Sequence, residues 1–409
     1  MPKRTKGRRF GRLVQVVIVI LLLELSLAYL VLGSYRTLTG PGGNLNHGGN
    51  PLGSDFVQYY AVSVMALDDQ PEAAYELAKL HEVEQRVVDS DVERWPWYYP
   101  PTFMLVVRPL SLVPYPVALA LWLLASVIPF LVVIYRIAPH PLAPFAALLF
   151  PATADVLFSG QNGCLSAALI GGGLLLLERR PVVAGLLIGL LSYKPHLGLI
   201  IPFALAAGGH WRAFLAATLT TLAFAGASLA AFGPDTWLAF VSTLSDARST
   251  VEFGESPWFK MVSVFPAARL LGFGVSVAWI AQGVIAVAAA GAVVWLWRRP
   301  AAPELRASAL IIAIPLVTPY AQFYDLALLA LPIAWIIWRA RASGWLRGER
   351  LAMAVLWPAP VLAWSLAQEA GIPTWPLLLS ALLALVLRRA AREAHADAAA
   401  PPLDAAASG

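Results

Sequence analysis

The stretch Gly53-Ser54-Asp55-Phe56-Val57-Gln58-Tyr59-Tyr60 sets one carboxylate among small and aromatic residues, just past the first apolar run. A carboxylate so placed can take a proton from an alcohol, the work of a general base. The same Asp55 also suits a helix N-cap beside Ser54. Four cations far along the chain could hold a phosphate: Lys194 and His196 on either side of Pro195, with Arg108 or Lys260 in support. Lys194 and His196 read equally as side chains reaching for an interface, and Lys260 as a solvated charge in a loose loop. Trp97, Tyr98 and Tyr99 could stack on a sugar ring or line a lipid groove. Tyr59, Gln161, Asn162, Tyr320, Gln322, Tyr324 and Asp325 supply further polar lining. Gln161-Asn162-Gly163 is also a competent turn, and Asp325 also suits the first turn of a helix. No Walker, Rossmann or metal-ligand spacing occurs, and isolated carboxylates at turns do not define a Mg²⁺ or Ca²⁺ site.

The elements that must position these residues are membrane helices. Of 409 residues 59% are hydrophobic and 13% charged, against about half and a quarter in soluble domains. Apolar runs of about 20 residues recur down the chain. We therefore expect one all-α polytopic domain over 13–389, preceded by a basic cytoplasmic N-terminus (1–12) and followed by a disordered cytoplasmic tail (390–409). The net charge of +5 reflects Arg residues beside apolar runs, so it points to topology rather than nucleic acid. One cysteine, Cys164, excludes an internal disulfide.

The first run has a basic start and is too long for a cleaved signal peptide, which places about 37–100 outside. That segment has about ten acidic residues and few basic ones. We expect interfacial helices there, around 56–61 and 75–88. About eleven further spans follow: 115–137, 141–159, 161–178, 181–194, 196–208, 211–232, 275–298, 303–320, 322–338, 350–368 and 373–388. With these, Arg136, Arg179-Arg180, Arg212, Arg298-Arg299, Arg339 and Arg388-Arg389 fall inside, and a second outer loop covers about 233–273. Asp55, Asp155, Gln161-Asn162, Lys194, His196, Lys260 and Tyr320 to Asp325 all come out on the outer face. Ionisable groups gathered at one membrane level suggest one polar site. Glu24, in the middle of the first helix, is expected to be protonated or bonded to a neighbouring helix.

An ordered set of short motifs carries a resemblance: Ser54-Asp55-Phe56 with Tyr59-Tyr60; Trp97-Tyr98-Tyr99-Pro100-Pro101 leading to Arg108-Pro109-Leu110; Gln161-Asn162-Gly163; Ala184-Gly185-Leu186 before Lys194-Pro195-His196; and Thr318-Pro319-Tyr320 before Tyr324-Asp325. Over roughly 50–330 the chain resembles glycosyltransferase family 87, of the glycosyltransferase C superfamily. The resemblance implies a bundle of about twelve transmembrane helices in the cell membrane, with an extracytoplasmic first loop bearing the catalytic base, here Asp55. It implies transfer of mannose from a polyprenyl-phosphate donor to a glycolipid or polysaccharide acceptor, with no further cofactor. Members often carry a histidine in the late Pro-containing outer turn; this chain has Gln322 and Asp325 there.

One base and a direct displacement would invert the anomeric centre. A retaining route would need a second carboxylate, for which Asp155 and Asp325 are the candidates. The rival reading is a transporter or lipid flippase, whose polar cavity would lie at the midplane between repeats.

Overall fold

The computed structural model describes residues 21–37, 40, 44–88 and 91–399. The basic segment 1–12, the start of the first helix and residues 400–409 lie outside them. Among the described residues all regular structure is helical, with two isolated β-bridges, Leu45 to Pro51 and Met261 to Gln322.

Among the described residues four helices are long and apolar enough to cross a membrane: Tyr115–Ile137, Trp211–Phe253, Val275–Trp297 and Phe323–Ser343. Two bent pairs, Leu142–Leu149 with Pro151–Ser159 and Glu349–Leu356 with Ala359–Ala370, raise the number to six. The sequence suggested about twelve. Among the described residues Gly163–Leu176 and Pro303–Val317 fall short of a full span, as do Pro181–Tyr193 and Pro195–Ala207, the two short helices expected on either side of Lys194, each started by Pro in its first turn. The last helix, Trp375–Ala399, runs through the first ten residues of the expected tail.

The centre is Pro303–Val317, buried along nearly its whole length and packed against Val275–Trp297, Trp375–Ala399 and Ala330–Ser343. A second seam joins Pro181–Leu190 to Trp211–Ser242. There Gly185 and Gly189 abut the backbone carbonyls of Ala213 and Ala217 so closely that a Cβ would collide. Small residues replace the hydrophobic effect as the packing device between helices in lipid. Trp211–Ser242 is broken at Gly233, whose φ of 76° and following Pro234 end the regular helix.

Charge sorts to two ends. Gly163–Leu176 starts at Asn162 and is followed by Glu178; Pro303–Val317 starts beside Glu304 and Arg306 and ends at Thr318; Phe323–Ser343 starts near Asp325 and ends beyond Arg339. At one end Arg306 pairs with Glu178, Arg339 with Glu304 and Glu393, and Arg389 with Glu349 and Glu393. The other end carries Asn162, Thr318 and Asp325. Helices of 14 and 15 residues span about 21–23 Å, less than a hydrocarbon core of about 30 Å. The end that holds Asp325 therefore lies within reach of lipid depth.

The first loop folds differently from two surface helices. Phe56–Leu67 buries residues all around its circumference, enclosed by Pro101–Val107 and Leu77–Val88. Only Leu77–Val88 has one buried face, Leu80, Val83, Glu84 and Val88. Glu24 is exposed; its helix meets its neighbours through Ser26, which accepts from the Trp357 indole at 2.9 Å, and Tyr29, whose ring meets Phe158 edge-on.

Candidate active site

Asp55 occupies the N-cap position of Phe56–Leu67, yet its side chain makes no cap bond. Its Oδ2 instead accepts from Gln161 Nε2 at 2.8 Å. The loop is pinned by backbone: Asp55 N–H donates to Ser159 O at 3.0 Å, and the Tyr115 hydroxyl to Leu52 O at 2.7 Å. Gly160, at φ 66°, ends Pro151–Ser159 against Phe56, where a side chain would not fit, and its carbonyl accepts from Trp122 Nε1 at 2.9 Å.

Asn162 is likewise in an N-cap position without capping its helix. Its Nδ2 donates to the Tyr59 hydroxyl at 3.0 Å and the Tyr99 hydroxyl at 2.9 Å. Those hydroxyls donate to Gln161 Oε1, at 2.6 and 3.3 Å. Asn162 Oδ1 accepts from Lys194 Nζ at 2.9 Å, and Lys194 Nζ also donates to Asp325 Oδ1 at 2.6 Å and lies 4.6 Å from the centre of the Tyr324 ring. Asp325 Oδ2 accepts from the Gln322 N–H at 2.9 Å, completing a capping box with Gln322. One connected network thus runs from Asp325 to Asp55, across residues more than two hundred positions apart in sequence.

An aromatic wall supports it. Phe103 stacks on Trp97 and on Tyr193, and Tyr59 meets Trp97, Tyr99, Phe103 and Trp122 edge-on. Tyr59 and Trp97 are buried, as are Gln161 and Asn162; they form this wall and the network, rather than the accessible lining expected of them. Tyr98, Tyr99, Tyr320, Gln322 and Tyr324 keep partial exposure. Tyr98 turns away, its hydroxyl 3.1 Å from Thr250 Oγ1, and Tyr320 packs with Trp258, Val275 and Trp279 in a separate cluster.

The cations separate into two kinds. Lys194 is 1% exposed and its charge is neutralised by Asp325, so in this geometry it does not face a phosphate as the sequence suggested. His196 follows it in a short helix, with Nε2 buried and unbonded. Arg108 is exposed, and its carbonyl accepts from the Ser63 hydroxyl at 2.7 Å. Lys260 is exposed, and its charge acts on both Asp55 and Asp155. It stands on a defined turn, Trp258–Lys260, not in a loose loop: Met261 bridges Gln322, and Val262 N–H donates to Ala321 O at 3.1 Å.

Burial pushes the Asp55 carboxyl up from the usual carboxylate range. The Gln161 amide, the Lys260 charge, the Ser54 hydroxyl and the Trp95 indole oppose that rise. Asp55 retains part of its surface. Its Oδ1 has the Ser54 hydroxyl at a long 3.4 Å. Two small hollows lie elsewhere, one bordering Asp325 and one beside Arg389, and Asp55 lines neither. Among the described residues no group of three or more His, Cys, Asp or Glu is placed to hold a metal.

Two contributors escape sequence reasoning. Trp95 reaches Asp55, although the sequence singles out only its neighbours Trp97, Tyr98 and Tyr99. Glu84, buried, accepts from the Trp95 N–H at 3.3 Å, which holds that segment. The signal for Glu84 was present: position 84 falls in the same helical stripe as Leu80, Val83 and Val88.

This site is the carboxylate of one partly exposed residue, one exposed cation within its field, and a scaffold of amides and phenols. The family model for glycosyltransferase family 87 matches residues 97–319, more than half of the chain. That stretch contains Tyr99, Gln161, Asn162, Lys194 and Lys260, while Asp55 precedes it. No curated protein and no solved structure matches the chain. The chain belongs to glycosyltransferase family 87, a family of membrane glycosyltransferases.

Proposed function

We propose that this protein moves a hexose, mannose in the first instance, from a polyprenyl phosphate to a glycolipid or glycan acceptor on the extracytoplasmic face of the cell membrane, with inversion. Asp55 is the general base. The observation that carries this reading is the diversion of Asp55 from its cap: a carboxylate at an N-cap that leaves the helix N–H groups alone and stays partly open is not there to build the helix. The Arg-rich end of the bundle is taken as cytoplasmic, which puts Asp55 at the opposite face. Nucleotide sugars are absent there, so the donor is lipid-carried.

Asp55 Oδ1 takes the acceptor O–H proton. The acceptor oxygen forms its bond to the anomeric carbon while the bond from that carbon to the phosphate oxygen breaks, and polyprenyl phosphate leaves. Lys260 is the cation that meets the leaving charge, since Lys194 is occupied. Asp325 is held by Lys194 and by the Gln322 N–H, so it does not serve as a nucleophile. The deciding experiment is transfer by the purified full chain in vesicles, from polyprenyl-phosphate mannose to an alkyl mannoside. Asp55→Asn should insert normally and lose at least about 100-fold in kcat, the usual share of a general base. Near-normal turnover by that variant removes Asp55 from the role.

A further inference from the structure

The bonds between Lys194 and Asp55 all point the same way. Lys194 N–H donates to Asn162 Oδ1, Asn162 N–H to the hydroxyls of Tyr59 and Tyr99, those hydroxyls to Gln161 Oε1, and Gln161 N–H to Asp55 Oδ2. An ammonium can only donate and an ionised carboxylate can only accept. With an ammonium at one end and a carboxylate at the other, neither amide can turn over without placing like groups face to face. Asn162 Oδ1 is held by Lys194, Lys194 is held by Asp325, and Asp325 is held by the Gln322 N–H. The members are buried: Gln161 2%, Asn162 0% and Lys194 1% exposed. Such a chain polarises along its length.

We propose that Gln161, Asn162 and Lys194 are positioning residues of the transferase: a one-way hydrogen-bond chain, locked at its far end by the Lys194–Asp325 ion pair, reserves Oδ2 of Asp55 as an acceptor and leaves Oδ1 to take the proton. This rests on the reading of Asp55 as the base. It gives Lys194 and Asp325 a role in catalysis without contact to either substrate. It also explains why two residues in N-cap positions, Asp55 and Asn162, both forgo capping: each is needed as a link.

The chain stabilises the ionised form of Asp55, so breaking it should make the carboxyl harder to ionise. The other charged and titratable groups that act on or feel Asp55 are Lys260 from the second outer segment, Asp155 from Pro151–Ser159, and the phenols of Tyr59, Tyr115 and Tyr324. Of these only Tyr59, an uncharged phenol that is itself a link of the chain, is altered by the substitutions that follow. The test is an infrared titration of Asp55 in the full chain in lipid nanodiscs, with its carboxyl band identified by disappearance in Asp55→Asn. Gln161→Leu should move the midpoint to higher pH by about one unit or more, the loss of a bond to the charged form. Tyr59→Phe/Tyr99→Phe, which cuts the chain one link further off, and Lys194→Met/Asp325→Asn, which unlocks its end, should move it the same way by less. A merely structural role would leave the midpoint in place.

An unmoved midpoint in Gln161→Leu overturns the proposal; if that variant does not insert, an unmoved midpoint in the tyrosine pair does so. An unmoved midpoint in Lys194→Met/Asp325→Asn, with the others shifted, removes Lys194 from it. The titration needs no substrate. Its failure is therefore separate from failure of the transfer assay, where normal turnover by Asp55→Asn would sink the base assignment itself.

Discussion

Lys194→Met should be among the most destabilising single substitutions in this chain, and Asp325→Asn should recover much of the loss. The ammonium and carboxylate stand 2.6 Å apart, with side chains 1% and 2% exposed. Removing the ammonium strands Asp325 Oδ1 as a buried charge and leaves Asn162 Oδ1 without its donor. Breaking a buried pair from one side costs about 3–5 kcal/mol. With Asn at 325 the charge is gone, and an amide oxygen can still accept from the Gln322 N–H. What then remains is about 1–3 kcal/mol for imperfectly bonded polar groups. The double variant should thus be more stable than Lys194→Met by about 2 kcal/mol, a coupling that a double-mutant cycle isolates. The assay is unfolding by sodium dodecyl sulfate in mixed micelles, followed by tryptophan fluorescence. A cost below about 1 kcal/mol for Lys194→Met, the scale of an exposed pair, would refute the reasoning. So would a double variant no more stable than the single one. A lysine that served only the donor phosphate would behave in the opposite way, sparing the fold and raising the donor KM.

Lys260→Ala should spare the fold, because the side chain is exposed, and raise the donor KM by about 10- to 100-fold, the worth of a charge-assisted bond to phosphate. A donor KM unchanged in vesicle kinetics would exclude Lys260 from the phosphate site. Glu84 is pushed up to about 8 by burial, from an ordinary 4.5. The folded state therefore holds a proton that the unfolded chain has released, and stability contributed by this group is present below the ordinary value and falls as pH rises towards 8, by up to about 1.4 kcal/mol per unit. Unfolding at several pH values checks this, and Glu84→Gln should flatten that slope. Gly160→Ala places a methyl 2.6 Å from Phe56 Cβ at φ 66° and should destabilise by about 1–3 kcal/mol. It should also lower transfer, since Gly160 abuts the Asp55 loop; wild-type values in unfolding and transfer would exclude this.

The sequence by itself settled the solvent and the class. A 59% apolar composition and recurring apolar runs require helices in lipid, because every backbone polar group must be satisfied within its own segment. The ordered motifs through Gln161-Asn162-Gly163 and Lys194-Pro195-His196 pointed to the family that the match over 97–319 then established. The gathering of Asp55, Gln161, Asn162, Lys194 and Asp325 was also foreseeable, since each follows or precedes an apolar run by a few residues and topology carries those ends to one level.

The partners of those residues were decided only by the fold. Capping and turn rules are local, so they assigned Asp55 to its own helix and Asn162 to a turn, whereas Gln161 beside Asp55, and Tyr59 and Tyr99 beside Asn162, offered bonds from far along the chain. Nor does a lysine in a sequence reveal its counter-ion: Lys194 looked free because Asp325 is 131 residues away, and Lys260 looked loose because the bridge that ties its neighbour Met261 to Gln322 is non-local. The split of 181–208 at Lys194-Pro195 was legible, as Pro181–Tyr193 and Pro195–Ala207, but whether such short pieces count as full spans was not. Hydropathy sums residues along the chain, while the prolines break the helix and neighbouring helices re-satisfy the freed groups. Sequence fixes what each residue can bond to, and in a buried site the packing of distant segments selects which bond is made.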